Sequence, residues 1–503
     1  MHIKCGGYVK KIRKEQQCSP PHRLLRLVPK LSPPSNTATP IMYNPQPHFA
    51  NCDEYRYFKI FCDNTAPNLA EYLDSALWNT IVLQASEQES FIKHAIVALG
   101  ALDKTVEVSR TLHGPQVCSG TSHTSHYQAA FQQYGKCIKG IRKACEERRQ
   151  SKRMILIACL LAVCFEYFDG NIDPAIAHIR SGIRLINDWA YGIMHLASID
   201  QQQQHFLPGI LEDELVCVFS RLEVDVFTWY DTDKVVMHKE LAQMAMDIVR
   251  AIPTDGFTNI QSARKYFDIL LREVDWFIRS MSDQLWARWN EPIDSRQSST
   301  DQRERLGILQ QSLLSWFTAF QFLYSRSLTS RETDFLIIKA LYLRHTCSSI
   351  ALNCCSGSEL CYDSYIPQFR NALSLAQTLS AATFSKAKPT FVVWSILVKS
   401  LYFIALKCRN LPLRKEALAS LQAMTRREGL WDAGVACAIV RKVIELEQCE
   451  RDLRNIFVPE KRRLRAIKTT FDLHQRRGNL RYLTLKTDSE AVGLVAGQVE
   501  LSW

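Results

Sequence analysis

Residues 126–189 read HYQAAFQQYGKCIKGIRKACEERRQSKRMILIACLLAVCFEYFDGNIDPAIAHIRSGIRLINDW, and this stretch decides the fold. Tyr127, Ala130, Phe131, Tyr134, Ile138 and Ile141 fall three or four apart, which predicts an amphipathic helix over 126–144. Residues 154–168 are apolar nearly all round, so the next helix should be buried on every side. Gly170 reads as its stop. Asp173 and Pro174 then read as an N-cap and a first-turn proline for a helix carrying Ile176, Ile179, Ile183, Leu185 and Ile186. Three packed antiparallel helices are the expectation, and with them an all-α chain of helical hairpins.

Outward from this core, small and apolar residues at helical spacing begin at 91–102, and 109–125 is a polar gap. Helices are also expected at 214–230, after a loop within 254–278, at 389–406, at 413–424 ending before Gly429, and at 431–450. Residues 19–46 carry Pro20, Pro21, Pro29, Pro33, Pro34, Pro40 and Pro45 in a Ser/Thr/Asn setting and read as a disordered linker. The chain divides as 1–50, a basic, proline-rich tail; 51–475, a helical body; and 476–503, an irregular or short-strand tail in which Leu480, Tyr482, Leu483 and Leu485 partly alternate.

The 503 residues are 47% hydrophobic and 22% charged, ordinary values for a globular protein. The formal charge of +11 is concentrated at the ends. Residues 1–30 hold eight Lys/Arg against Glu15, a net of +7, and 451–486 hold eleven against three acids, a net of +8, which leaves −4 for the rest. Lys10, Lys11, Arg13 and Lys14 at one end, and Lys461, Arg462, Arg463 and Arg465 at the other, form a candidate patch for DNA or nuclear import. A solvated tail and a solvated helix face are the competing reading. No apolar run reaches the ~18 residues of a membrane span, since Glu166 and Lys399 interrupt the two nearest, so no membrane partner is expected. Without an export signal the 17 cysteines should be reduced thiols.

Enzyme motifs fail. Gly135 and Gly140 have phosphate-loop spacing, but Ile141 and Arg142 stand where Lys and Ser/Thr are needed, so both glycines read as close helix contacts. Nucleophile elbow, metalloprotease helix and dinucleotide fingerprint are all missing, and no catalytic residue is assigned. Cys118, His123 and His126 could be imagined around zinc but read as a solvated loop, and Cys354, Cys355 and Cys361 as buried thiols.

Cys5-Gly6-Gly7-Tyr8-Val9 followed by Lys10-Lys11 resembles the end of the fungal zinc binuclear cluster, a six-cysteine DNA-binding unit. Four further stretches resemble the regulatory region of the same transcription factor family, in the family's order. They are 126–182, with Glu166, Gly170 and Arg180; 213–223; 253–264; and 406–432, with Arg427-Glu428-Gly429-Leu430-Trp431-Asp432. Glu166 and Arg180 read as a structural ion pair or surface groups, and Trp431 as a core anchor. The resemblance implies a helical regulatory domain in a nuclear protein controlling RNA polymerase II genes, often a metabolic or secondary-metabolite set.

Of the six metal ligands only Cys5 could belong, as the last, so no zinc is expected in this chain unless further cysteines precede it. Direct DNA binding is thus left open. Either a first exon is missing, or the cluster was lost and the protein acts through the transcription machinery or a full-length regulator; a homodimer is also left open. The competing reading is a tetratricopeptide-like scaffold, which lacks its second copy at ~34 residues. An enzyme in a helical fold lacks convergent groups. The two apolar helices read as plain core more readily than as the walls of a ligand pocket.

Overall fold

In the computed structural model, residues 49–71, 74–112, 121–147, 151–197, 213–229, 246, 249–291, 299–327, 332–384, 391–424, 426–448, 458–487 and 492–503 are described. The expectations for the basic, proline-rich segment up to residue 48, for Cys5 and for Cys118 lie outside them.

The chain is mostly helical, as its periodicity predicts. It runs α1 Cys52–Ile60, α2 Ala66–Ala70, α3 Val82–Gln88, α4 Ser90–Leu112, α5 Thr121–Glu147, α6 Lys152–Asp169, α7 Ile172–Ala197 and α8 Glu214–Trp229. Next come α9 Ile260–Ala287, α10 Thr300–Ser327, α11 Glu332–Cys354 and α12 Ile366–Phe384. The last part holds β1 Phe391–Val392, α13 Leu397–Lys407, α14 Leu411–Gln422, β2 Arg427–Glu428, β3 Trp431–Asp432, α15 Ala433–Glu447, β4 Arg465–Asp472, β5 Arg477–Thr487 and β6 Val492–Ser502.

The deciding stretch folds as read, with α5, α6 and α7 packed in sequence. Every residue of α6 from Leu156 to Tyr167 is buried. Gly170 ends it at φ 98°, a conformation glycine adopts without steric cost, and the amides of Gly170 and Asn171 bond back to the carbonyls of Tyr167 and Glu166. α7 starts two residues earlier than expected, so Asp173 and Pro174 lie in its first turn and Asn171 precedes it. Gly140 marks a true close approach, since a Cβ there would lie 2.4 Å from the Phe91 Cβ; at Gly135 there is open space.

Two expectations are corrected. Residues 389–406 do not form one helix: β1 pairs in parallel with β2, and α13 starts only at Leu397. Glu428 makes the break. Its buried carboxylate accepts from the amides of Ile396 at 2.8 Å, Leu397 at 3.3 Å and Val398 at 3.0 Å, so a distant side chain satisfies the orphan donors of the helix start. Trp431 and Asp432 likewise belong to β3, not to the helix after it, and Asp432 caps α15 through the Val435 amide at 3.0 Å. Residues 476–503, read as an irregular or short-strand tail, hold strands: β5 and β6 are eleven residues each and form an antiparallel sheet with β4. Residues 49–503 make one compact unit. Leu480 and Leu483 are buried beneath it, and the Trp286 indole of α9 donates to the Ala466 carbonyl at 2.5 Å.

Buried ion pairs tie distant parts of the chain together. Asp74 receives Arg221 and Arg264, and Asp268 of α9 also receives Arg221 at 2.6 Å. The Arg221 guanidinium lies 3.5 Å over the Trp394 ring. Glu447 of α15 sits between Arg409 at 2.9 Å and Arg414 at 2.7 Å. Of the two readings of Glu166 and Arg180, ion pair or surface groups, Arg180 fits the second, being exposed, while Glu166 is buried and accepts from the Tyr134 hydroxyl at 2.6 Å and the Asn171 amide at 3.0 Å. Trp431 is the core anchor the sequence suggests, 3% exposed and donating to Asp225 at 3.3 Å.

Candidate functional site

Where α8, α9, α11 and α13 meet, they leave a half-open cavity of about 280 Å³ that Trp431 and the start of β4 also line. Its walls follow from the helix faces. The end of α8 contributes Phe227, and α9 contributes Asp275, Ile278, Met281 and Leu285 at the three- and four-residue spacing of one helix face. α13 contributes Lys399, Tyr402 and Phe403, and α11 contributes Arg344, Cys347 and Ala351. Seven of the lining residues are charged, and the rest are apolar or neutral.

Most of those charges are already engaged. Lys399 lies 3.2 Å from Asp275 and 3.8 Å from Asp225. Asp225 accepts from the Ser395 hydroxyl; its burial pushes the carboxyl above its ordinary range, against the pull of Lys399, Ser395, Arg344 and Trp431. Arg279 holds Asp283 and donates to the Phe227 carbonyl at 2.8 Å. Lys407 lies 2.7 Å from Glu359, and Arg465 rests on Glu460. Arg344 differs. It is 8% exposed and makes no hydrogen bond or ion pair with any described residue. α11 was not among the expected helices, and this arginine was missed. The stretch 335–350 also holds Lys339 and His345, so nothing in the sequence singled this arginine out. By length and composition the window 334–354 could cross a membrane, yet 67% of it is buried against the rest of the chain, as in a core helix.

The sequence-based candidates divide. Lys461 is exposed and Arg462 partly so on the turn before β4. Arg463 is a correction to the basic patch: its side chain is fully buried, paired with Asp363 at 2.6 Å and donating to the Glu359 carbonyl at 2.7 Å. Arg465 is also turned inward, to Glu460. Lys10, Lys11, Arg13, Lys14 and Cys5 lie outside the described residues. His126 bonds the Tyr57 hydroxyl through Nδ1 at 2.7 Å, and among the described residues no three His, Cys, Asp or Glu side chains gather as a metal site. Cys354 and Cys361 stand 3.0 Å apart, sulfur to sulfur, and burial pushes Cys354 far above the ordinary thiol range, so it stays protonated.

Residues 56–211, from α1 through α7, match the family model described as the fungal specific transcription factor domain. That span contains the first of the four stretches read as a resemblance; the other three lie beyond it. The chain is also similar to the aspercryptin biosynthesis cluster-specific transcription regulator of Emericella nidulans, 25% identical over 195 residues that cover 36% of this chain and 30% of that protein. The similarity thus spans under a third of that relative's length. No solved structure matches. The likeness to the fungal specific transcription factor domain thus lies on residues 56–211 and covers less than half of the chain.

Proposed function

We propose that this protein is a transcription regulator acting in a fungal nucleus on genes read by RNA polymerase II, in a metabolic or secondary-metabolite set. The observation that carries the reading is the domain match over 56–211, seated on the helices whose packing the sequence itself predicts. The printed role of the Emericella relative, regulation of one biosynthetic gene cluster, supports the gene-set part. Regulators of this family are normally not enzymes, which agrees with the lack of catalytic motifs in the sequence. In this reading the helical body receives signals and contacts the transcription machinery or a full-length regulator. Lys10, Lys11, Arg13 and Lys14, with Lys461 and Arg462, serve nuclear import or polyanion contact.

The test is a reporter assay in a filamentous fungus. The full chain is fused to a heterologous DNA-binding domain, with the matching site upstream of the reporter, and a fluorescent tag follows its location. A several-fold change in reporter output with nuclear fluorescence is expected. An unchanged reporter from a fusion that is stably expressed would sink the reading.

A further inference from the structure

Every other buried arginine among the described residues rests on a carboxylate: Arg221 and Arg264 on Asp74, Arg409 and Arg414 on Glu447, Arg426 on Glu428, and Arg463 on Asp363. Burying a guanidinium costs free energy that a paired carboxylate offsets. Arg344 is also buried, at 8% exposure, has no hydrogen-bonded or ion-paired carboxylate among the described residues, and lines the cavity. A guanidinium, a fixed fork of N–H donors, therefore borders a space that a planar acceptor would fill.

We propose that this cavity is a binding site for a small organic acid with one carboxylate and an apolar body. The carboxylate takes the Arg344 fork. The apolar body lies against Ile278, Met281, Leu285 and Phe403, which line the same space. A single charge is specified by the surroundings. Asp275 lines the cavity, and Asp225 lies behind Ser395 and Trp431, close enough to feel Arg344. Lys399 is shared between those two carboxylates, so little positive charge remains for a dianion such as a phosphate monoester. The volume of about 280 Å³ sits at the small end of ligand sites, which suits a compact acid. The claim concerns binding to the isolated protein and does not depend on the transcription reading.

The experiment titrates the purified full-length chain with decanoate, 4-phenylbutyrate and indole-3-acetate, each beside its primary amide, by calorimetry. At least one acid should bind about tenfold or more tightly than its amide, because only the anion makes charge-assisted bonds to the fork. Arg344→Gln should abolish that preference, and Arg344→Lys should keep part of it. Met281→Trp, which fills the apolar end and leaves the guanidinium in place, should weaken acid and amide together. Should Arg344→Gln fail to fold, the amide comparison and Met281→Trp decide alone. The proposal is overturned if no acid binds up to about 10 mM, if acid and amide bind alike, or if a folded Arg344→Gln variant binds the acid as the parent does. A flat reporter with intact binding would sink the transcription reading alone.

Discussion

The Arg409 guanidinium meets the Glu447 carboxylate at 2.9 Å with both side chains fully out of water. Arg409 leads out of α13, Glu447 ends α15, and the same carboxylate also takes Arg414 of α14 and the Leu464 amide before β4. One acid thus joins the last three helices to the sheet. Removing it leaves two buried guanidinium groups uncompensated, so Glu447→Gln should cost about 3–5 kcal/mol in chemical denaturation. Replacing Arg409, Arg414 and Glu447 together by Met and Leu should cost far less than the single change. Equal losses from the two variants would show that the ion cluster matters only as packing.

The pH dependence of stability has two opposed parts. Burial works against ionising Glu447, but Arg409 and Arg414 hold it down to about 2, so its contribution is present above the ordinary carboxylate range and is lost as pH falls toward 2. Glu428 runs the other way. Burial pushes it up to about 7 against the pull of Arg426 and the α13 amides, so the folded chain holds its proton more tightly than the unfolded chain does. Stability from this group is therefore full below about pH 4.5 and is lost as pH rises to 7, on the order of 2–3 kcal/mol. Urea denaturation at pH 5 and pH 8 should show a drop in the parent that shrinks in Glu428→Gln. An unchanged drop would mean that other groups carry it.

How far the fold was legible depends on where each signal lives. The α5–α7 passage was readable because its apolar spacing, Gly170 and Pro174 act locally. Residues 389–406 misled because an apolar run without polar punctuation fits a buried strand as well as a helix, and the divider, Glu428, is some thirty residues away. The closing sheet was half visible in Leu480, Tyr482 and Leu483, while its pairing with 465–472 is a tertiary fact. The cavity was the least legible feature. Arg344 looks in sequence like any helix arginine, and only packing shows that it is buried without a paired carboxylate among the described residues.

The glycines of α5 give a paired test. Gly140→Ala would place a methyl group 2.4 Å from the Phe91 Cβ, so α4 and α5 must part, at a cost of about 1–3 kcal/mol. At Gly135 nothing lies within 4 Å, and alanine should stabilise the helix by about 0.5–1 kcal/mol through its better helix propensity. Thermal unfolding of both variants checks this. If both moved in the same direction, glycine at 140 would not be a packing requirement.

Arg463 and Lys461 are two residues apart yet should fail differently. Arg463 is fully buried on Asp363, so Arg463→Ala strips a buried carboxylate of its partner and should destabilise the chain by about 3–5 kcal/mol. Lys461 is exposed and Arg462 partly so, and replacing both by alanine should leave stability within about 0.5 kcal/mol. If basic clusters direct nuclear entry, alanine at Lys461, Arg462, Lys10, Lys11, Arg13 and Lys14 together should shift a tagged chain toward the cytoplasm. Arg463→Ala should instead lower its amount while the nuclear fraction of what survives stays the same. Fluorescence imaging beside quantitative blotting separates the two outcomes, and a six-fold alanine variant that stays nuclear would remove the basic residues from the import role.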